Sequence, residues 1–162
     1  MTISVGDTLP NASLSTMGAD GQQFVELESL TKGRKVVLFG LPGAFTGTCD
    51  RAHLPSFMRT VDGFKAKGVE EVICIAVNDP FVMQRWDEAS GAGAAGVTML
   101  ADPQSELTQA LGLAFDVPPL GFFNRCKRFA LLAEDGVVKV LNLEEEAGVC
   151  SLTTGEELLE KI

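Results

Sequence analysis

The chain has 162 residues, of which 46% are hydrophobic and 22% charged; this suits one globular domain over 1–162 and excludes a disordered chain. A net charge of −9 argues against nucleic-acid binding, which draws on basic patches, and the densest basic cluster is only the short "NRCKR" at 124–128. No uncharged run approaches the roughly 18–20 residues a membrane helix needs.

The N-terminus, "MTISVGDTLP", shows no basic n-region and no apolar h-region. The expected compartment is therefore cytoplasmic, and removal of a transit peptide would make it an organelle. "NASLSTM" and "QFVEL" around "GADGQ" read as a small hairpin. "KVVLFG" (35–40) and "EVICIAVND" (71–79) are nearly continuous apolar runs rich in β-branched residues, as in strands buried on both faces. Between them, Leu54, Phe57, Met58, Val61 and Phe64 recur at three and four residues, and Gly68 closes the pattern. That predicts a helix over 49–67 and a strand–helix–strand unit.

A second helix is expected from Asp79–Pro80, a cap followed by proline, through "FVMQRWDEAS" to the glycine-rich "GAGAAG". "VTMLA" (97–101) reads as a strand. "DPQSELTQALG" reads as a helix capped by Asp102 and stopped by Gly112. "RFALLA" (128–133) and "VVKVLNL" (137–143), joined by "EDG", form a hairpin pattern. A terminal helix over about 155–162 completes an α/β chain with a mixed β-sheet flanked by helices.

Four cysteines occur, Cys49, Cys74, Cys126 and Cys150, and none forms CxxC. That disfavours a zinc ribbon or a dithiol motif, and four are too few for a disulfide scaffold in this length. Cys49 stands out. It ends the loop "PGAFTGTC" after an apolar strand, where Gly40, Pro42, Gly43 and Gly47 allow a sharp turn into a helix. Free N–H groups and the helix dipole favour an anion there, which makes Cys49 a candidate thiolate nucleophile. Thr46 and Thr48 offer hydrogen bonds beside it. The competing reading is a small apolar core residue.

His53, the sole histidine, lies at i+4 from Cys49. A Cys–His catalytic pair, a metal pair without evident further ligands and a structural histidine that hydrogen-bonds the loop all fit that spacing. The structural role is favoured, because a helix start and an arginine activate a thiol without a base.

"PGAFTGTCDRAHLPSF" resembles the active-site segment of peroxiredoxins of the peroxiredoxin-5, or type II, group. The family pattern is proline, three residues, threonine or serine, two residues, cysteine, filled here by Pro42, Thr46 and Cys49. The likeness continues through "VICIAVNDPFVMQRW", "LADP", "RCKRFALLAEDGVVKVLNLE" and "GVCSL". It implies a thioredoxin-like fold and a peroxidatic Cys49 that reduces hydrogen peroxide and alkyl hydroperoxides through a sulfenic acid. Thr46 would orient the peroxide, Pro42 would shield the thiolate, and Arg128 would stand beside the sulfur, with Arg125 its weaker substitute. His53 would support the site.

The resemblance also implies a homodimer with contacts near the active-site loop, for which the apolar loop "FDVPPLGFFN" (115–124) is a candidate surface, with a place in the core as the equal alternative. No metal, haem, flavin or other cofactor is expected. The implied reductant is glutathione with glutaredoxin, or thioredoxin. Cys150 matches the resolving cysteine of animal peroxiredoxin 5, and Cys74 the second cysteine of plant type II members. Cys74 reads as a buried strand thiol, and acidic neighbours should raise the pKa of Cys150. Cys126 takes no family role; its basic neighbours are able to lower its pKa, and an incidental loop cysteine is the alternative. The family usually has proline where this chain has Gly47, which leaves the loop less rigid. A non-enzymatic thiol redox sensor, passing oxidation to a partner protein, is the alternative function.

Overall fold

The structure is a computed structural model that describes residues 1–162. A hairpin of β1 (Ser13–Gly18) and β2 (Gly21–Glu26) leads through the short helix α1 (Leu27–Thr31) into β3 (Lys35–Leu41). A loop and one π-helical turn, Cys49–His53, then open α2 (Leu54–Ala66), which returns the chain to β4 (Glu71–Ala76). Helices α3 (Pro80–Ser90) and α4 (Ala92–Ala95) precede β5 (Val97–Ala101), and α5 (Glu106–Ala110) follows it. Beyond a two-stranded ribbon of β6 (Ala114–Val117) and β7 (Phe122–Cys126) come the hairpin β8 (Phe129–Glu134) and β9 (Val137–Leu143), then α6 (Gly155–Glu160).

The seven-stranded sheet runs β2-β1-β5-β4-β3-β8-β9. Strand β3 is parallel to β4 and antiparallel to β8, and β4 is parallel to β5. The sheet is mixed and flanked by helices, as its apolar runs imply. Alternation along β3 sets two core layers. Val37, Phe39 and Leu41 join the layer with Cys49, Phe57 and Trp86, while Val36 and Leu38 join the layer with Leu27, Leu107 and Phe129. Gly40 faces the second layer, where a Cβ would collide with the Phe129 ring and lie 3.0 Å from Cys126 Sγ. No helix is long and apolar enough to cross a membrane.

Three expectations change in detail. The helix over 49–67 forms, but its first turn is widened, with Leu54 N–H donating to the Cys49 carbonyl five residues back. Asp102 does not immediately precede α5. A tight turn closes Asp102–Ser105 on itself, with Ser105 at φ 58°, and the Asp102 carboxylate reaches forward to Leu107 and Thr108 N–H at 3.2 and 2.9 Å. The segment 115–124 is not a plain loop. It bends at Pro118–Leu120 and pairs with itself as β6–β7. Asp79 does cap α3, accepting from Val82 N–H at 2.9 Å.

Register decides where the site lies. Gly40, near the end of β3, pairs with Phe129, the first residue of β8. Arg128 therefore stands beside the start of the loop that delivers Cys49, although the two are 79 positions apart.

Candidate active site

The loop from Pro42 to Thr48 is held at both ends and in the middle. Ala44 N–H donates to Asn78 Oδ1 at 2.9 Å, and Arg125 donates to the Pro42 carbonyl at 3.0 Å while lying 4.6 Å from the Phe122 ring centroid. Thr48 Oγ1 donates to the Gly148 carbonyl at 2.8 Å. Phe45 sits at φ 62°, a left-handed conformation costly for a side chain with a Cβ. Thr46 Oγ1 gives its proton to the Gly43 carbonyl at 2.7 Å. Its lone pairs are thus what the hydroxyl offers to the cleft beyond.

Cys49 opens the π-helical turn and is 1% exposed. Arg128 Nη2 donates to its Sγ at 3.4 Å. The guanidinium is itself 2% exposed. It also donates to the Ala147 carbonyl (2.9 Å), the Val149 carbonyl (3.0 Å) and His53 Nδ1 (3.1 Å). It takes part in none of the four ion pairs of the molecule. Among its hydrogen-bond partners, Cys49 Sγ is the one group able to carry a negative charge.

His53 is fully buried, with Phe39 and Phe57 edge-on to it at 5.2 and 5.6 Å. Arginine only donates, so Nδ1 is the acceptor and Nε2 carries the proton that it gives to the Thr153 carbonyl at 3.0 Å. Burial first, then the Arg128 charge, hold the imidazole well below its usual pKa, against the bond to Thr153. His53 is a neutral brace for Arg128. Neither ring nitrogen is left to take a proton from Cys49 or to bind a metal.

The segment after β9 closes over Arg128. Glu144, 4% exposed, accepts hydrogen bonds from Ser151, Leu152 and Thr153. Between them Glu145–Val149 are exposed and Cys150 is half-buried. Burial raises the Cys150 thiol above its usual value, with Glu144 and Cys49 adding to the shift and Thr153 and Arg128 opposing it. Acidic surroundings do contribute, as expected, but desolvation is the larger cause. Cys74 is fully buried on β4, and burial pushes its thiol well up. For Cys126 the expectation is reversed. It ends β7 inside the second core layer, and burial pushes it up to about 12 despite its basic neighbours.

Gly47 lies at the helix start, outside the left-handed region, and a Cβ there would meet nothing within 4 Å. Neither backbone conformation nor packing demands glycine.

Pro42, Thr46, Gly47, Thr48 and Cys49 share a cleft of about 230 Å³ with Leu120, Phe122, Arg128, Ala147 and Gly148. A separate cleft of about 300 Å³ around Pro10, Glu28 and Asp135 carries no thiol. Sequence reading brought together the cleft's Pro42, Thr46, Cys49 and Arg128, and with them His53. It missed the carbonyls of Ala147 and Val149, since any residue type supplies a carbonyl. It also missed Trp86, whose indole N–H donates to Asp50 beside Cys49 at 2.7 Å.

The sequence model of the Redoxin family matches residues 4–157. Peroxiredoxin-2E-2, chloroplastic, of Oryza sativa is 50% identical over 99% of this chain and 73% of its own length. That relative is named for the chloroplast, so the chain's relatives are not confined to the cytoplasm. The structure of reduced Prx3 of Vibrio vulnificus in complex with H2O2 superposes with a TM-score of 0.92 at 41% identity, covering 99% of each chain. Peroxiredoxin 5 of Alvinella pompejana gives a TM-score of 0.83 at 32% identity, over 98% of this chain and 96% of that one. A thioredoxin-like sheet, a cleft centred on one cysteine and these full-length similarities lead to one assignment: the chain belongs to the redoxin family, as a thiol peroxidase of the type II, peroxiredoxin-5-like peroxiredoxins.

Proposed function

We propose that Cys49 is the peroxidatic nucleophile and that Arg128, Thr46 and Pro42 do its chemistry with it. The observation that carries this reading is the buried guanidinium of Arg128, which has no carboxylate partner and reaches Cys49 Sγ at 3.4 Å. The thiolate attacks one peroxide oxygen. A sulfur–oxygen bond forms as the oxygen–oxygen bond breaks, and the leaving oxygen departs as hydroxide or alkoxide and is protonated to water or alcohol. Sulfur is oxidised to the sulfenic acid and the peroxide is reduced. The Thr46 hydroxyl, its proton committed to Gly43, accepts from the peroxide O–H and orients it. Arg128 counters the charge as it moves from sulfur to oxygen. Pro42 walls the cleft beside the sulfur and limits water. Leu120 and Phe122 give the mouth apolar surface, which suits alkyl hydroperoxides as well as hydrogen peroxide.

Cys150 resolves the sulfenic acid in this reading. Cys74 and Cys126 are sealed in the two core layers, whereas Cys150 is half-buried on the segment that lies against Arg128. Glutaredoxin with glutathione, or thioredoxin, then returns the electrons. Exposed Phe45, Leu120 and Phe123 support a homodimer formed near the cleft, which light scattering would read as a doubled mass.

Peroxide consumption with each reductant tests the cycle. Catalytic loss that disappears in Cys49→Ser supports it, and a single stoichiometric turnover with every reductant favours a redox sensor. Mass spectrometry of peroxide-treated protein should show a Cys49–Cys150 link. Mixed disulfides with glutathione alone would assign a one-cysteine cycle instead.

A further inference from the structure

Glu144 lies one step beyond β9, where its N–H donates to the Arg128 carbonyl at 3.0 Å. Its side chain has no cationic partner in the molecule's ion pairs. The carboxylate instead collects five donors from three consecutive residues. These are Ser151 N–H and Oγ, Leu152 N–H, and Thr153 N–H and Oγ1, at 2.7 to 3.2 Å. A buried carboxylate so surrounded is a fixed point in the chain. Burial would raise its pKa, yet the bonds from Thr153, Leu152 and Ser151 outweigh burial and leave it below its usual value.

The position of that fixed point matters. Residues 145–150 form a loop whose neck is Glu144 on one side and Ser151–Thr153 on the other. Every backbone carbonyl that orients the Arg128–His53 pair belongs to this loop or its neck. Ala147 and Val149 accept from Arg128, and Thr153 accepts from His53. Gly148 accepts from Thr48, next to Cys49. The loop itself is exposed from Glu145 to Val149, and within it a single backbone bond runs from Val149 N–H to the Glu146 carbonyl at 3.1 Å. It has little of its own to hold those carbonyls in register.

We infer that Glu144 is a positioning residue for peroxide reduction: its carboxylate staples the neck of the 145–150 loop and so fixes the carbonyls that aim Arg128 at Cys49. The inference rests on the proposed partnership of Arg128 and Cys49. It assigns Glu144 no contact with substrate. The alternative is a purely structural staple, which would affect melting temperature and nothing else.

The test uses the full chain in the Glu144→Gln variant, which keeps the side-chain size but turns one acceptor into a donor facing other donors. The rate constant of Cys49 oxidation by hydrogen peroxide should fall by about ten- to a hundredfold, and Cys49 alkylation should shift to higher pH. Thr153→Val removes one donor of the five, so it should move both readouts less and in the same direction. It also carries the test if Glu144→Gln does not fold. The exposed neighbour variant Glu145→Gln should match the wild type. In the Arg128→Ala background, Glu144→Gln should add almost nothing, because the two act along one route. The same fold-loss in both backgrounds, or a lowered melting temperature with rate and alkylation profile unchanged, overturns the inference. An Arg128→Ala variant with wild-type rate and profile overturns the proposed partnership itself, and this inference with it.

Discussion

Three thiols of this molecule are buried, and their surroundings differ. Cys49, Cys74 and Cys126 are 1%, 0% and 0% exposed. Cys74 and Cys126 belong to the two core layers, where burial pushes both thiols up, although Thr108, Asp102 and Arg128 also act on Cys126. Cys49 is buried to the same degree, but it faces a buried guanidinium and a cleft. Burial by itself disarms a thiol. What sets Cys49 apart in the proposed site is an arginine that has no carboxylate counter-charge. The water exclusion around Arg128 and Cys49 strengthens any electrostatic interaction between them.

The contrast is broken most severely at Arg128. Arg128→Ala should cost about 10²- to 10³-fold in the rate constant with hydrogen peroxide, read by stopped flow. Removing the hydroxyl in Thr46→Val should cost less, about 10- to 100-fold, with the folded structure retained. Because the Thr46 proton is already given to Gly43, Thr46→Ser should recover most of the rate. Cys126→Ala, on the silent side of the comparison, should leave peroxide kinetics unchanged and cost on the order of 1 kcal/mol in stability, read by urea denaturation.

His53 sharpens the comparison through pH. Its folded pKa lies below the unfolded value. The unfolded chain therefore binds the extra proton first as pH falls. The stability that goes with a neutral His53 is fully present above about pH 6.5 and is lost progressively below it, toward the depressed folded pKa. The slope is at most about 1.4 kcal/mol per pH unit. His53→Gln should flatten this part of the stability profile. The smallest expected effect is at Gly47, where alanine meets no neighbour and should stabilise the protein by about 0.4–1 kcal/mol.

Much of this was legible in the residues. Continuous apolar runs gave β3, β4 and β5, and the spacing of Leu54, Phe57, Val61 and Phe64 gave α2, because both signals come from burial on a regular period. The Asp135–Gly136 turn, with φ of 49° and 76°, matched its sequence because few residues adopt that backbone. The ribbon β6–β7 escaped notice because 115–124 read as an apolar loop, although only Pro118–Leu120 form the bend between the strands. At the site, Pro42, Thr46, Cys49 and Arg128 carried residue-type signals. The pairing of Gly40 with Phe129 that joins them did not. Cys126 was misjudged from its basic neighbours in sequence, whereas its side chain turns into the second core layer, where burial is the largest influence on the thiol. Glu144 looked like one acid of an acidic run, since five donors converging on a carboxylate leave no trace in composition.

The most direct test of the account is the rate of Cys49 alkylation by iodoacetamide as a function of pH, in the wild type and in Arg128→Ala. If the buried guanidinium supports the thiolate, the wild-type profile lies at lower pH and Arg128→Ala moves it upward. Superimposable profiles would contradict the account.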